Sequence, residues 1–250
     1  TVGLTRTFGT RKAVDALDLE VPEGAFYGFL GSNGAGKSTT INMLTGLLAP
    51  TSGRARVVGY DVTAEPLEVK RRIGVVPDGL HLFERLTGEE QLRFVGRLYG
   101  LDAAETTRRS RDLFGAMELE ADARKLVAGY SHGMRKKLAL ACALIHSPPL
   151  LFLDEPFEGV DAVAARNIRA LLAAVVKKGH TTVFLTSHVL EIVEKLCTHV
   201  GIIHAGKLVA AGTLDELRRG PDGQAQSLEE RFIALVGEGR GATEALAWLG

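Results

Sequence analysis

Residues 31–39 read GSNGAGKST, which fits G-x-x-x-x-G-K-[ST], the Walker A pattern. The glycines let successive backbone N–H groups turn inward around phosphate oxygens. A helix starting at the end of such a loop adds the positive end of its dipole. Gly31, Ser32, Asn33, Gly34, Ala35, Gly36, Lys37, Ser38 and Thr39 are therefore the candidate phosphate cradle. Lys37 reaches the β- and γ-phosphates, and the Ser38 hydroxyl suits Mg²⁺, which takes oxygen ligands and keeps some of its waters. The reading needs a strand before the loop and a helix after it. AFYGFL (25–30) is an apolar run, and STTINMLTGLL (38–48) reads as a helix. Without that context the segment is a Gly-rich turn that happens to carry Lys-Ser, and the motif alone does not choose among NTPase classes.

Three more apolar runs end on polar groups. IGVVP ends at Asp78, LLFL at Asp154–Glu155 and TVFLT at Ser187–His188. In an open parallel sheet, ligands sit beyond the carboxyl ends of the strands, so these ends converge with Gly31 on one edge. Asp154, directly after its strand, has the place of a Walker B Asp and suits Mg²⁺ through water. Glu155 is one residue further and faces the γ-phosphate, where polarising an attacking water is worth roughly 10²–10⁴ in rate. His188 is placed to hydrogen-bond the γ-phosphate and sense its loss. The candidate catalytic set is Glu155, His188 and Lys37. Read alone, Asp154–Glu155–Pro156 is a solvated strand exit and His188 a surface residue at a helix start; the shared edge favours the site.

These edges need an α/β framework. The first stretch, AVDALDLEVPEGAFYGFLG, reads as short strands broken by a turn at Pro22–Glu23–Gly24. Residues 82–146 become helical, with Thr87 and Glu90 as a capping box, and Asp102 with Glu105 repeating the device. Residues 200–212 read as a hairpin turning near Ala205–Gly206, followed by a helix capped by Thr213 and Glu216. GPDGQAQ (220–226) is a linker, and Ser227 with Glu230 caps a tail helix over 227–237. The expected divisions are 1–81 (N-terminal β subdomain and loop core), 82–147 (inserted helical subdomain), 148–219 (core continuation) and 220–250 (linker and tail).

The 250 residues are 46% hydrophobic, enough for a sizeable core, and Lys+Arg equal Asp+Glu at 30 each. Zero net charge gives no electrostatic case for nucleic acid as a partner. Cys142 and Cys197 match no metal spacing and lie in apolar patterns, so buried, reduced thiols are expected, consistent with cytoplasm. No apolar run approaches the ~20 residues that span a bilayer, so a membrane role must come through a partner. The N-terminus has no signal-peptide pattern, although Thr1 suggests an incomplete start.

Together these motifs resemble the nucleotide-binding subunit of ABC transporters, over nearly all of residues 1–237 and in the family's order. The resemblance implies a P-loop, RecA-like core with a mainly parallel sheet, an antiparallel N-terminal β subdomain and an inserted helical subdomain. YSHGM (130–134) is similar to the family's signature, usually written LSGGQ. In the family two cassettes pair head to tail, and the signature of one caps the γ-phosphate held by the other. Ser131 and Gly133 would then serve the partner's ATP. Alone, the segment reads as an ordinary helix cap before a basic, solvated turn of Arg135, Lys136 and Lys137. Phe8 matches the aromatic that stacks on adenine, with a core or strand Phe as the competing reading. FEGVD (157–161) resembles the D-loop, which would put Asp161 at the dimer seam; an exposed loop Asp is the alternative.

Two positions depart from the family's pattern. Asp78 stands where Gln is usual, and a carboxylate there can approach Mg²⁺ or its water; the metal set is then Ser38, Asp154 and Asp78. His132 replaces a Gly and narrows the approach to the phosphate. The family's groove for a helix of the membrane subunit maps onto 78–92, with Leu80, Leu82, Phe83 and Leu86 as its floor or packed inside the lobe. IGVVPD, YSHGMRKKL and SLEERFIALV look most like the branch that serves exporters. The resemblance thus implies an ATPase using ATP and Mg²⁺, with transmembrane permease subunits and a second nucleotide-binding subunit as partners, at the cytoplasmic face of the cell membrane. A soluble ABC ATPase acting on an iron–sulfur assembly or nucleic acid, and an ATP-binding regulatory module without turnover, are the alternatives.

Overall fold

The computed structural model describes residues 1–177, 179, 181–219 and 226–237. The chain opens with β1 (Val2–Phe8) and β2 (Arg11–Leu17), an antiparallel pair turning at Gly9–Thr10. β3 (Phe26–Leu30) runs into the glycine loop and α1 (Lys37–Leu44) leaves it. β4 (Ser52–Arg54) pairs antiparallel with β1, and β5 (Arg56–Val57) with β6 (Tyr60–Asp61). Pro66 opens α2 (Pro66–Arg72), where its missing N–H costs no helical bond, and β7 (Ile73–Val76) follows. The helical block comprises α3 (Gly88–Leu98), α4 (Ala103–Met117) and α5 (His132–Leu144). The core resumes with β8 (Leu150–Leu153), α6 (Ala162–Lys177), β9 (Thr182–Ser187), α7 (Leu190–Leu196), β10 (His199–His204) and β11 (Lys207–Thr213). Two short helices end the described chain, α8 (Leu214–Leu217) and α9 (Leu228–Val236).

The main sheet has the order β11-β10-β3-β9-β8-β7, parallel except for the β11 edge. A strand covered on both faces must be apolar throughout, and β3 and β9 are buried at every position. Alternation with period two sends their side chains to two cores. Phe26, Leu30, Leu151, Leu153, Val183 and Leu185 face the helical block, with Leu92, Phe114 and Leu138. Tyr27, Phe29, Phe152 and Phe184 face the other way, with Leu4, Val14 and Leu17 of the β subdomain and Ile41 and Met43 of α1. Phe184 sits at the middle of this second core, 5.6 Å from Tyr27 and 5.4 Å from both Phe29 and Phe152, centroid to centroid. Each such pair adds about 0.5–1.5 kcal/mol beyond its buried area. One sheet therefore fastens both flanking layers to the strand that carries the glycine loop.

Several local expectations change. The helix after the loop ends at Leu44, four residues before Leu48. Gly46 adopts φ 68, and the N–H groups of Leu47 and Leu48 both turn back to the Asn42 carbonyl, which closes the helix early. The boxes at Thr87, Thr213 and Ser227 form completely. At Asp102 only half the box forms: the Asp accepts the Glu105 N–H, but the Glu105 carboxylate goes to Arg108 and Arg109. Those two guanidiniums hold its pKa down to about 2. Residues 79–87 lie before the first helix of the block rather than in one. Both thiols are free; Cys197 is buried and Cys142 partly so, and burial pushes the Cys142 pKa up to about 12. Of the 220–226 linker only Gln226 is described, and residues beyond 237 lie outside the described chain.

Candidate functional site

Strand register decides what meets at the carboxyl edge. Leu30 pairs with Ser187, Leu153 with Leu185, and Val76 with Leu153. The Asp154 N–H continues the ladder by donating to the Val76 carbonyl at 2.9 Å. Gly31, Asp78, Asp154–Glu155 and His188 therefore leave the sheet side by side. A cleft of about 570 Å³ lies there, lined by Phe8, Ser32, Asn33, Gly34, Gly36, Lys37, Ser38, Thr39, Asp78 and Glu155; Gly31, Asp154 and His188 are not in its lining, and His188 joins it only through Glu155. Arg11, Ala13 and Glu158 complete the lining.

The loop needs its glycines. Gly36 is the N-cap of α1 at φ 112, and a Cβ there would stand 2.5 Å from the Ala13 carbonyl oxygen. No side chain caps α1, so its first turn keeps N–H groups available to an anion. Lys37 is buried, and its Nζ donates to the Gly31 carbonyl at 2.7 Å and to the Ser32 carbonyl at 3.5 Å. The same nitrogen lies 3.1 Å from Glu155 Oε1. The other carboxylate oxygen, Oε2, lies 3.1 Å from His188 Nδ1. Glu155 thus stands between the loop lysine and the histidine at the end of β9.

Thr186 sets the acidic pair. Its hydroxyl donates to Asp154 Oδ1 at 2.6 Å and accepts the Glu155 N–H at 3.0 Å. Asp154 is buried, and Glu155 takes φ 47, a left-handed conformation that costs a non-glycine residue about 1–3 kcal/mol. Ser38, Asp78 and Asp154 share a second, adjoining cavity of about 1040 Å³. Hydroxyl and carboxylate oxygens are the donors a small hard cation takes, so the residues fit Mg²⁺. Among the described residues no cluster of three or more His, Cys, Asp or Glu forms a self-sufficient metal site.

The aromatic and the signature segment fall on different sides of this arrangement. Phe8 ends β1 and is 49% exposed at the cleft, which rules out the core reading; the Arg6 guanidinium lies 4.6 Å from its ring centre. Ser131 and Gly133 do not line the cleft. Ser131 caps α5 by accepting the Met134 N–H at 3.2 Å. Gly133 is buried against the start of α6, where a Cβ would meet Ala164 Cβ at 3.3 Å and Asp161 Oδ2 at 3.4 Å. Asp161 itself caps α6, accepting the N–H groups of Val163 and Ala164 at 3.0 and 2.9 Å. The turn after Ser131 is not solvated: Lys136 and Lys137 are buried, and Arg135 bonds Glu84 at 2.9 Å. Leu80 and Leu82 pack against the lobe's core, while Phe83 is exposed edge-to-face with Phe94. The 1040 Å³ cavity takes Asp78, Gly79 and His81 from the 78–92 segment, and Leu47, Leu67, Leu98 and Tyr99 are among its apolar lining.

Sequence reasoning missed Thr186, Lys136, Arg11 and Glu158. Thr186 lies within a recognised apolar strand, and nothing local marks a threonine whose role is to bridge strands. Glu158 lies inside the D-loop-like segment, and Lys136 lies just past the signature-like one in a turn that reads as solvated, so local pattern carried neither contact.

A parallel sheet whose central strand feeds a glycine loop into a helix, with an acidic pair two strands away, is the core of a P-loop nucleoside-triphosphate hydrolase. Relatives narrow that class. The ABC transporter family pattern matches residues 14–158. The bacitracin transport ATP-binding protein BcrA of Bacillus licheniformis is 39% identical over 219 residues, covering 88% of this chain and 71% of that protein. The daunorubicin/doxorubicin resistance ATP-binding protein DrrA of Streptomyces peucetius is 44% identical over 219 residues, covering 87% of this chain and 66% of that protein. A solved ATP-binding subunit of an ABC transporter superposes with a TM-score of 0.87 at 33% identity, over 94% of this chain and 97% of that one. The chain belongs to the ABC transporter family, as one of its ATP-binding, ATP-hydrolysing subunits.

Proposed function

We propose that this chain is the motor subunit of an export-type ABC transporter, docked through permease subunits at the cytoplasmic face of the membrane and closing with a second cassette on two ATP molecules. The observation that carries the reading is the split between two anion-ready helix starts. One, at Lys37, opens on the 570 Å³ cleft; the other, at Ser131, lies outside it and is exposed. A second copy turned head to tail would bring its Ser131 and Gly133 to this chain's nucleotide. The alternative of a soluble ATPase gains no support from the relatives, whose names concern bacitracin transport and daunorubicin/doxorubicin resistance. Antibiotic-like compounds are accordingly the proposed cargo class. Among the described residues no helix is long and apolar enough to cross a membrane. The groove with Leu47, Leu67, Leu98 and Tyr99 is the proposed seat of a permease helix.

In this reading Phe8 offers its open face to adenine, and the 31–39 loop holds the phosphates. Ser38, Asp154 and Asp78 would hold Mg²⁺, which would supply neutralisation of phosphate charge. Lys37 exchanges the Glu155 carboxylate for phosphate oxygens. Glu155, released from Lys37, accepts the hydrogen bond of the attacking water, while His188 stays within reach of the carboxylate and the γ-phosphate. Closed-state binding supplies the work, because ATP favours the closed pair over the open one.

Purification of the tagged chain from membranes tests the assignment. Recovery of a polytopic membrane protein in stoichiometric amount is expected; recovery of a soluble scaffold alone would overturn it. ATPase activity per subunit should also fall on dilution below the dimerisation range.

A further inference from the structure

The loop that carries Glu155 is fastened to α5 of the same chain. Lys136, on the second turn of α5, is only 3% exposed, a rare state for lysine. Its Nζ donates to the Glu155 main-chain carbonyl at 2.6 Å. That carbonyl also accepts the Glu158 N–H at 3.2 Å. The Glu155 N–H is held on its other side by Thr186. Both peptide groups of a residue at φ 47 are thus clamped, one from β9 and one from α5. A strained conformation persists only where its surroundings over-determine it.

Further holds join the same two segments. His132 Nε2 lies 3.3 Å from the Glu158 carbonyl oxygen, so this nitrogen donates. Gly133 leaves room for Asp161 and Ala164. Burial pulls the Lys136 pKa down, and the charges of Asp78, Glu158, Glu155 and Asp154 push it back up. The carboxylate at 78, where the family usually has an amide, is first among those countercharges.

We propose that Lys136 is a positioning residue for Glu155: its buried ammonium, anchored on the signature helix, fixes the left-handed turn that aims the Glu155 carboxylate at the cleft. The inference rests on the functional reading above, in which Glu155 activates water. Lys136 touches no nucleotide in this arrangement; it acts through the main chain of its neighbour. Through this contact the helix that begins at Ser131 is hydrogen-bonded to the loop that carries Glu155.

The test compares ATP turnover by the wild type and by Lys136→Met, Lys136→Gln, Glu155→Gln and the Lys136→Met/Glu155→Gln double variant. ATP affinity and the thermal unfolding midpoint are measured beside the rates. Lys136→Met removes the donor at similar length and should lower kcat at least tenfold, with KM and ATP affinity within about threefold. Lys136→Gln keeps a donor and should recover at least a third of wild-type kcat. On the Glu155→Gln background, Lys136→Met should cost less than twofold more, because the residue it positions is already gone. The proposal is overturned if Lys136→Met folds and turns over within twofold of wild type, or if its losses multiply fully with those of Glu155→Gln. Should Lys136→Met fail to fold, Lys136→Gln decides, and a fall beyond tenfold in a folded Lys136→Gln overturns the proposal. Wild-type turnover indifferent to Glu155→Gln would overturn the functional reading and this inference together, a result distinct from failure at Lys136 alone.

Discussion

Lys37 Nζ and Glu155 Oε1 stand 3.1 Å apart, so the lysine that would hold phosphate is paired with the carboxylate that would activate water. Both side chains are nearly buried, and a buried charge without a partner is costly. Glu155 Oε1 is buried without a hydrogen-bond partner, so Lys37 offsets its charge without completing a hydrogen bond. On the proposed reading, phosphate entering the loop would draw Lys37 away from the Glu155 carboxylate.

Glu155→Gln follows from that pairing. Turnover should fall by roughly 10²–10⁴-fold. ATP affinity should hold or rise, because the phosphate no longer competes with a carboxylate for Lys37. Phosphate release and equilibrium binding of a fluorescent ATP analogue check the two halves; a weaker-binding, still active variant contradicts the assignment.

Phe8→Ala should weaken nucleotide binding by roughly fivefold or more, since base stacking is worth about 1–3 kcal/mol. The ring is half exposed at the strand end, so the unfolding midpoint should move little. Phe8→Tyr should bind like wild type. Titration calorimetry with ATP and GTP should show similar losses for both bases, because an aromatic face does not read base identity.

Gly36→Ala forces a Cβ onto a φ of 112 and toward the Ala13 carbonyl. The loop must shift or β2 must move. Nucleotide binding should drop more than tenfold in a chain whose far-ultraviolet circular dichroism is unchanged. Binding at wild-type strength would show that the cradle tolerates that shift.

His146 carries a pH dependence unrelated to catalysis. Its ring stacks on Tyr99 at 3.6 Å, its Nε2–H donates to the Ile73 carbonyl at 3.1 Å, and its Nδ1 has no partner. Burial lowers its pKa from 6.5 to about 4. The unfolded chain therefore takes up this proton first as pH falls. The contribution to stability is complete above pH 6.5 and is lost progressively toward pH 4. Between pH 7 and 5 His146→Phe, which keeps a ring against Tyr99, should show a shallower fall of the unfolding midpoint than wild type. Parallel curves would remove His146 from the account.

The amino-acid sequence determined the local chemistry and the local shapes. Gly36, Lys37 and Ser38 announce a phosphate loop because backbone turns and helix starts depend on neighbours in the chain. The caps at Thr87, Thr213 and Ser227 form for the same reason. Apolar runs ending at Gly31, Asp78, Asp154 and His188 also marked one edge, since parallel strands buried on both faces are apolar from end to end. Tertiary structure alone decided which groups touch. The Lys37–Glu155 and Glu155–His188 pairs span more than thirty residues or more than a hundred, and only the β3-β9-β8 register sets their distances. It also decided that Lys136 is buried and that Leu80 and Leu82 pack against the lobe's core. Burial depends on what packs against a residue from elsewhere in the chain, and a local pattern of charge or hydropathy carries no record of that neighbour.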